Sequence, residues 1–122
     1  MSDVVVTVPQ GFWEEWIAEG DAVGEPWSGE EWDFFLGGYP PKVLPGERVY
    51  IVCRRRLRGY APLVRLEPKA LRFRPGPTGY ALIRRGGAIA VTIPGEIPGF
   101  RGFRYRWWDR SIEIPFPEWK TA

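Results

Sequence analysis

Apolar positions in this chain follow two different rhythms, and the change falls near residue 46. The β-branched run at residues 3–8 (DVVVTV) reads as a strand that Pro9 stops. Phe12, Trp13, Trp16 and Ile17 then recur at helical spacing, while Glu14, Glu15 and Glu19 face the other way. This predicts a short helix ending at Gly20. A second helix is predicted over residues 28–37. Ser28 and Glu31 have capping-box spacing, Trp32, Phe35 and Leu36 form an apolar stripe, and Gly37-Gly38 followed by Pro40-Pro41 ends it.

From Gly46 the rhythm becomes that of short strands between Gly/Pro turns. Residues 47–54, 59–67, 69–74, 79–85, 88–93 and 103–108 each read as a strand. Pro62 marks a bulge or an edge position. Alternation in residues 103–108 places Phe103, Tyr105 and Trp107 on a core face and Arg104, Arg106 and Trp108 on the other. Asp109 beside Arg110 points to a charged turn. The tail IEIPFPEWKTA is extended, with Phe116 and Trp119 placed to hold it against the body. With no internal repeat and no linker, residues 1–122 read as one domain. Its class is α+β, mainly β, a small barrel or sandwich preceded by two short helices.

Composition narrows the chemistry. There is no histidine and only one cysteine, which removes the commonest general base, the Ser-His and Cys-His nucleophile pairs, an intramolecular disulfide and a cysteine zinc site. Cys53, sharing a strand face with Val49 and Ile51, reads as a small buried hydrophobe. No cofactor is implied. No apolar run approaches the roughly 20 residues of a membrane span, and the first residues lack the pattern of a signal peptide, so the expected compartment is the cytoplasm. Abundant loop proline, no asparagine and a single glutamine are compatible with a thermophile.

Charge is segregated along the chain. Residues 1–46 hold nine acids and one base, net −8, and residues 47–122 hold sixteen bases and six acids, net +10. Such a split implies either a basic surface for an anionic partner or two halves that neutralise each other. The run CRRRLRG brings Arg54, Arg55, Arg56 and Arg58 to a strand end, and GFRGFRYRWWDR adds Arg101, Arg104 and Arg106. Guanidinium forks match phosphate oxygens. Among seven tryptophans most belong to a core, with one or two left to line a pocket that stacks a base. Gly86-Gly87 lacks the P-loop lysine and spacing and reads as a plain hairpin turn.

The order of strand, glycine-terminated helix and basic β body resembles the PUA-like superfamily, in particular ASCH-type domains. That family's G-x-K-x-x-E-x-R pattern falls on GDAVGEPW, where Gly20 and Glu25 match while Ala22 and Trp27 replace the lysine and arginine. Its following strand motif falls on PGERVYIV, where Gly46, Glu47 and Arg48 match. The resemblance covers roughly residues 3–93. It implies a pseudo-barrel of about five to six strands with two short N-terminal helices, whose cleft meets RNA or modified bases. Some ASCH-type members resemble small amidohydrolases of acylated cytidines that use a lysine, a threonine and a glutamate, of which only Glu25 stands at a matching position here.

The leading expectation is therefore a non-catalytic nucleic-acid-binding module for RNA or for modified or single-stranded nucleic acid, RNA favoured, using an arginine-rich surface and an aromatic cleft. Arg54, Arg55, Arg56, Arg58, Arg101, Arg104 and Arg106 would contact phosphates, Trp27 and Trp108 would stack bases, and Glu25 would accept a hydrogen bond from a base amine. The alternatives are an amidohydrolase on a nucleoside-like amide with Glu25 as general base, and a protein-interaction or assembly module in which acidic and basic halves meet.

Overall fold

Val4, Val5 and Val6 are all fully buried, so the strand that carries them, β1 (Val4–Thr7), must be covered on both faces. The computed structural model describes residues 2–8, 32–37, 40–69, 79–84 and 89–116. Within these, β1 lies between β3 (Arg48–Cys53), which it pairs in parallel, and β7 (Phe103–Tyr105), which it pairs antiparallel. Beyond β3 the sheet continues antiparallel through β4 (Arg56–Lys69) and β5 (Gly79–Arg84) to β2 (Trp32–Gly37). The six-stranded order is β2-β5-β4-β3-β1-β7, and β6 (Val91–Thr92) and β8 (Ile114–Pro115) form a separate two-stranded ladder.

Strand alternation divides the apolar residues between two clusters. Val4, Val6, Val49, Ile51 and Cys53 join one with Leu36, Leu63, Leu82 and Phe116. Val5, Tyr50 and Val52 join the other with Leu57, Ile93, Ile97 and Trp108. Cys53 is buried, as its strand position predicts, and burial raises its thiol pKa. Phe116 reaches the first cluster as expected; Trp119 lies outside the described residues.

The motif GERV makes the entry to β3. Gly46 takes φ +89°, a left-handed conformation that favours glycine. Glu47 Oε1 accepts from the Leu44 N–H at 2.7 Å and the Glu47 N–H returns to the Leu44 carbonyl at 3.0 Å. Strand β4 is long because it serves two neighbours in turn: residues up to Pro62 pair with β3, and those from Leu63 pair with β5. Pro62 sits at this handover, where its missing N–H is tolerated. Two register shifts bend the strand. One leaves Arg58 as the extra residue between Leu57 and Gly59, and the other leaves Val64 extra. At Gly59 a Cβ would lie 2.5 Å from the Ile89 carbonyl oxygen, so only glycine lets residues 89–90 pass and exchange hydrogen bonds with Tyr60.

One predicted helix is corrected. Residues 32–37 form β2, paired along its whole length with β5. Phe34 and Leu36 face the first cluster while Phe35 is exposed, which is a period of two rather than 3.6. The capping-box residues Ser28 and Glu31, the first predicted helix and the predicted turn at Gly86-Gly87 lie outside the described residues, as does most of the predicted strand 69–74. The strand predicted at 103–108 is shorter, ending at Tyr105. Among the described residues the chain is mainly β, its one helical element a 3-10 turn at Arg110–Ile112, and no helix is long and apolar enough to cross a membrane.

Candidate nucleic-acid interface

Because Cys53 pairs with Arg56, the β3–β4 connection is two residues long, Arg54-Arg55. Both have positive φ, 53° and 61°, as a type I′ hairpin turn requires. A left-handed conformation costs a non-glycine residue about 1–2 kcal/mol, so this turn holds two arginines where Asn-Gly would sit with less strain. Both side chains are exposed.

Residues 94–102 fold against this turn. The Ile97 N–H donates to the Arg55 carbonyl at 2.9 Å, and Arg55 Nε pairs with Glu96 at 3.1 Å. Both partners of that pair are well exposed, so it adds little stability. The Phe100 N–H meets Thr7 Oγ1 at 3.4 Å, anchoring the loop to the end of β1. Arg101 is exposed at the end of this loop, and Arg104 is exposed on β7 with its guanidinium carbon 4.6 Å from the Phe100 ring centre. The loop thus runs from Arg54 and Arg55 at the β3–β4 turn, past the end of β1 at Thr7, to Arg101 and then Arg104 on β7.

The other predicted phosphate contacts are placed elsewhere. Arg58 is only 1% exposed, because the bulge turns it inward. Its Nε donates to the Cys53 carbonyl at 2.9 Å, and burial lowers its pKa, with Arg54 and Arg56 adding to the effect. Arg56 is half-buried with its guanidinium over the Phe116 ring, 4.8 Å from the centre. Arg106 is bound to Asp3 and is corrected from a phosphate contact to an internal ion-pair partner. Trp108 is likewise corrected: it is 6% exposed, and a base has no access to it. Trp27 and Glu25 lie outside the described residues.

Arg106 and Trp108 belong to a polar network at the opposite end of β1. Asp3, its side chain 2% exposed, accepts from the Arg48 N–H at 2.9 Å, Arg106 Nε at 3.0 Å and Arg110 Nη2 at 2.7 Å. Glu113, 7% exposed, accepts from Arg48 Nη1 at 2.9 Å, Tyr50 Oη at 2.5 Å and Trp108 Nε1 at 2.8 Å. Arg48 also donates to Tyr50 Oη and lies 4.0 Å from the Tyr60 ring centre. Burial, reinforced by the Glu113 carboxylate, raises the Tyr50 pKa. The network ties residues 106–113 to β1 and β3, and its cations pair with internal carboxylates. Asp109 caps the 3-10 turn by accepting from the Ser111 N–H at 2.8 Å, which is the charged turn the sequence points to.

Burial works to raise the Asp3 pKa, but the Arg48 N–H and the two arginine side chains outweigh it, so the folded value lies below the ordinary 3.8. A carboxylate with a depressed folded pKa contributes stability that is complete above its unfolded value and is lost as pH falls through its folded value. Denaturant unfolding measured from neutral pH downward should therefore show the wild type losing stability below about pH 4. Asp3→Asn should start lower and fall less steeply over that window.

The Thr7 hydroxyl is engaged by the Phe100 N–H, and the Thr92 hydroxyl donates to the Ile93 carbonyl at 3.4 Å. Among the described residues no group of three His, Cys, Asp or Glu side chains converges as a metal site. Comparison with protein-family models, curated proteins and solved structures returns no match to this chain.

Proposed function

We propose that this chain is a non-catalytic nucleic-acid-binding module of the PUA-like kind, in which Arg54, Arg55, Arg101 and Arg104 contact phosphates. The observation that carries the reading is the pair of arginines held at positive φ at the tip of the β3–β4 turn. Strain kept at an exposed tip, where asparagine and glycine would relieve it, points to a use for the side chains. Arg101 and Arg104 flank the same loop and extend the cationic surface. The parallel β1–β3 pair, the GERV entry to β3 and the bend in β4 support the pseudo-barrel reading of the fold.

The test separates stability from binding. Arg54→Asn combined with Arg55→Gly should raise stability by about 1–2 kcal/mol as the left-handed strain is relieved. The same variant should bind a labelled oligouridylate roughly 25-fold more weakly at 0.1 M salt, since each lost phosphate contact on a single strand is worth a factor of about five there. A variant that gains stability and binds as tightly as the wild type would remove the reading.

A further inference from the structure

Trp107 is 52% exposed, the most exposed of the large apolar side chains among the described residues. A singly exposed apolar residue is ordinary on its own. This one is distinguished by how firmly it is held. On one side the Arg106 N–H donates to the Asp3 carbonyl at 3.0 Å and the Arg106 guanidinium binds both the Asp3 carboxylate and the Trp108 carbonyl. On the other, Trp108 is buried with its indole N–H on Glu113. The two indoles meet at 5.0 Å and 87°, so the Trp107 ring is braced by a buried partner while about half its surface stays open to solvent.

Trp107 follows Arg104 closely along the chain. Arg104 pairs with Val5 and Tyr105 with Val4, so β7 runs from the arginine-bearing end of the sheet toward Asp3, and Trp107 follows two residues after the strand ends. At most about 11 Å of backbone separates Arg104 from Trp107. Arg104 itself lies over Phe100, and guanidinium planes as well as aromatic rings stack bases.

We propose that Trp107 is a stacking platform for an unpaired nucleobase, and that the partner is therefore single-stranded nucleic acid laid from the Arg54–Arg55 turn past Arg104 to Trp107. The proposal rests on the phosphate-binding reading above and adds the strandedness of the partner. A base inside a duplex has both faces covered by its neighbours and cannot stack on an indole. Every base has a π face, so the platform accepts RNA and DNA strands alike.

Binding of the full chain to a labelled oligouridylate, to an oligodeoxythymidylate of equal length and to a blunt duplex tests it. Both single strands should bind more tightly than the duplex. Trp107→Ala should weaken both by about 5- to 150-fold, leave the salt dependence and the duplex affinity unchanged, and unfold within a few degrees of the wild type because the side chain is half-exposed. Trp107→Phe should recover most of the loss. Wild-type affinity in Trp107→Ala, or an equal loss on single strands and duplex, overturns the stacking proposal. If Arg54→Gln with Arg55→Gln still weakens binding in that case, the phosphate-binding reading survives. Absence of binding by the wild type to all three probes overturns both.

Discussion

Replacing Glu113 with alanine is expected to cost about 3–5 kcal/mol of folding free energy, the range for breaking a buried ion pair by removing one partner. Three donors converge on this carboxylate: the Arg48 guanidinium, the Tyr50 hydroxyl and the Trp108 indole N–H. Tyr50 and Trp108 are buried, so water cannot replace the lost acceptor without opening the second apolar cluster. Each donor left unsatisfied contributes about 1–3 kcal/mol, and the charged one more. Glu113→Gln keeps an acceptor oxygen and should lose less. Glu96→Ala removes a carboxylate from the exposed pair with Arg55 and should cost under about 1 kcal/mol. Denaturant unfolding of the three variants gives the ranking directly. Equal losses for Glu113→Ala and Glu96→Ala would show that residues 106–113 are not held by this network.

Arg54, Arg55, Arg101 and Arg104 changed together to glutamine should abolish most nucleic-acid binding while leaving the fold intact. All four side chains are exposed, and surface substitutions of this kind usually change stability by less than about 0.5 kcal/mol each. Four phosphate contacts at a factor of about five each predict a loss of several hundred-fold at 0.1 M salt. A control with Arg48 or Arg106 substituted has a different signature, because those guanidiniums answer Glu113 and Asp3: stability falls first. The two sets of arginines, indistinguishable by composition, thus separate by whether unfolding or binding responds.

How much of this was legible in the sequence depends on how local the deciding interactions are. The β-branched runs at residues 3–8 and 47–54 announced β1 and β3, since few other conformations suit valine and isoleucine in succession. The aromatic stripe at 32–37 fitted a helix as well as a strand, and the choice was made by β5, which lies more than forty residues away in the chain. The run CRRRLRG read as a cluster of equals. The two-residue turn and the bulge that follows split it, sending Arg54 and Arg55 outward and Arg58 into the core. A one-residue change of register reverses which face a side chain takes, and no local signal marked where that change falls. The burial of Trp107 and Trp108 is the reverse of the expected one for a different reason. Alternation was carried past Tyr105, where the strand has already ended. Asp3 meets Arg106 and Arg110 across 103 and 107 positions of chain; the segregated charge hinted at such pairing without naming its members.

If the exposed arginines around the β3–β4 turn bind phosphates, affinity for a single strand falls with salt as counterions compete for it. A plot of log binding constant against log salt concentration for an oligouridylate should have a slope of about −3 for the wild type, four contacts at about −0.7 each, and a slope near zero for the quadruple glutamine variant. A wild-type slope near zero, or the same slope for both proteins, would contradict the account.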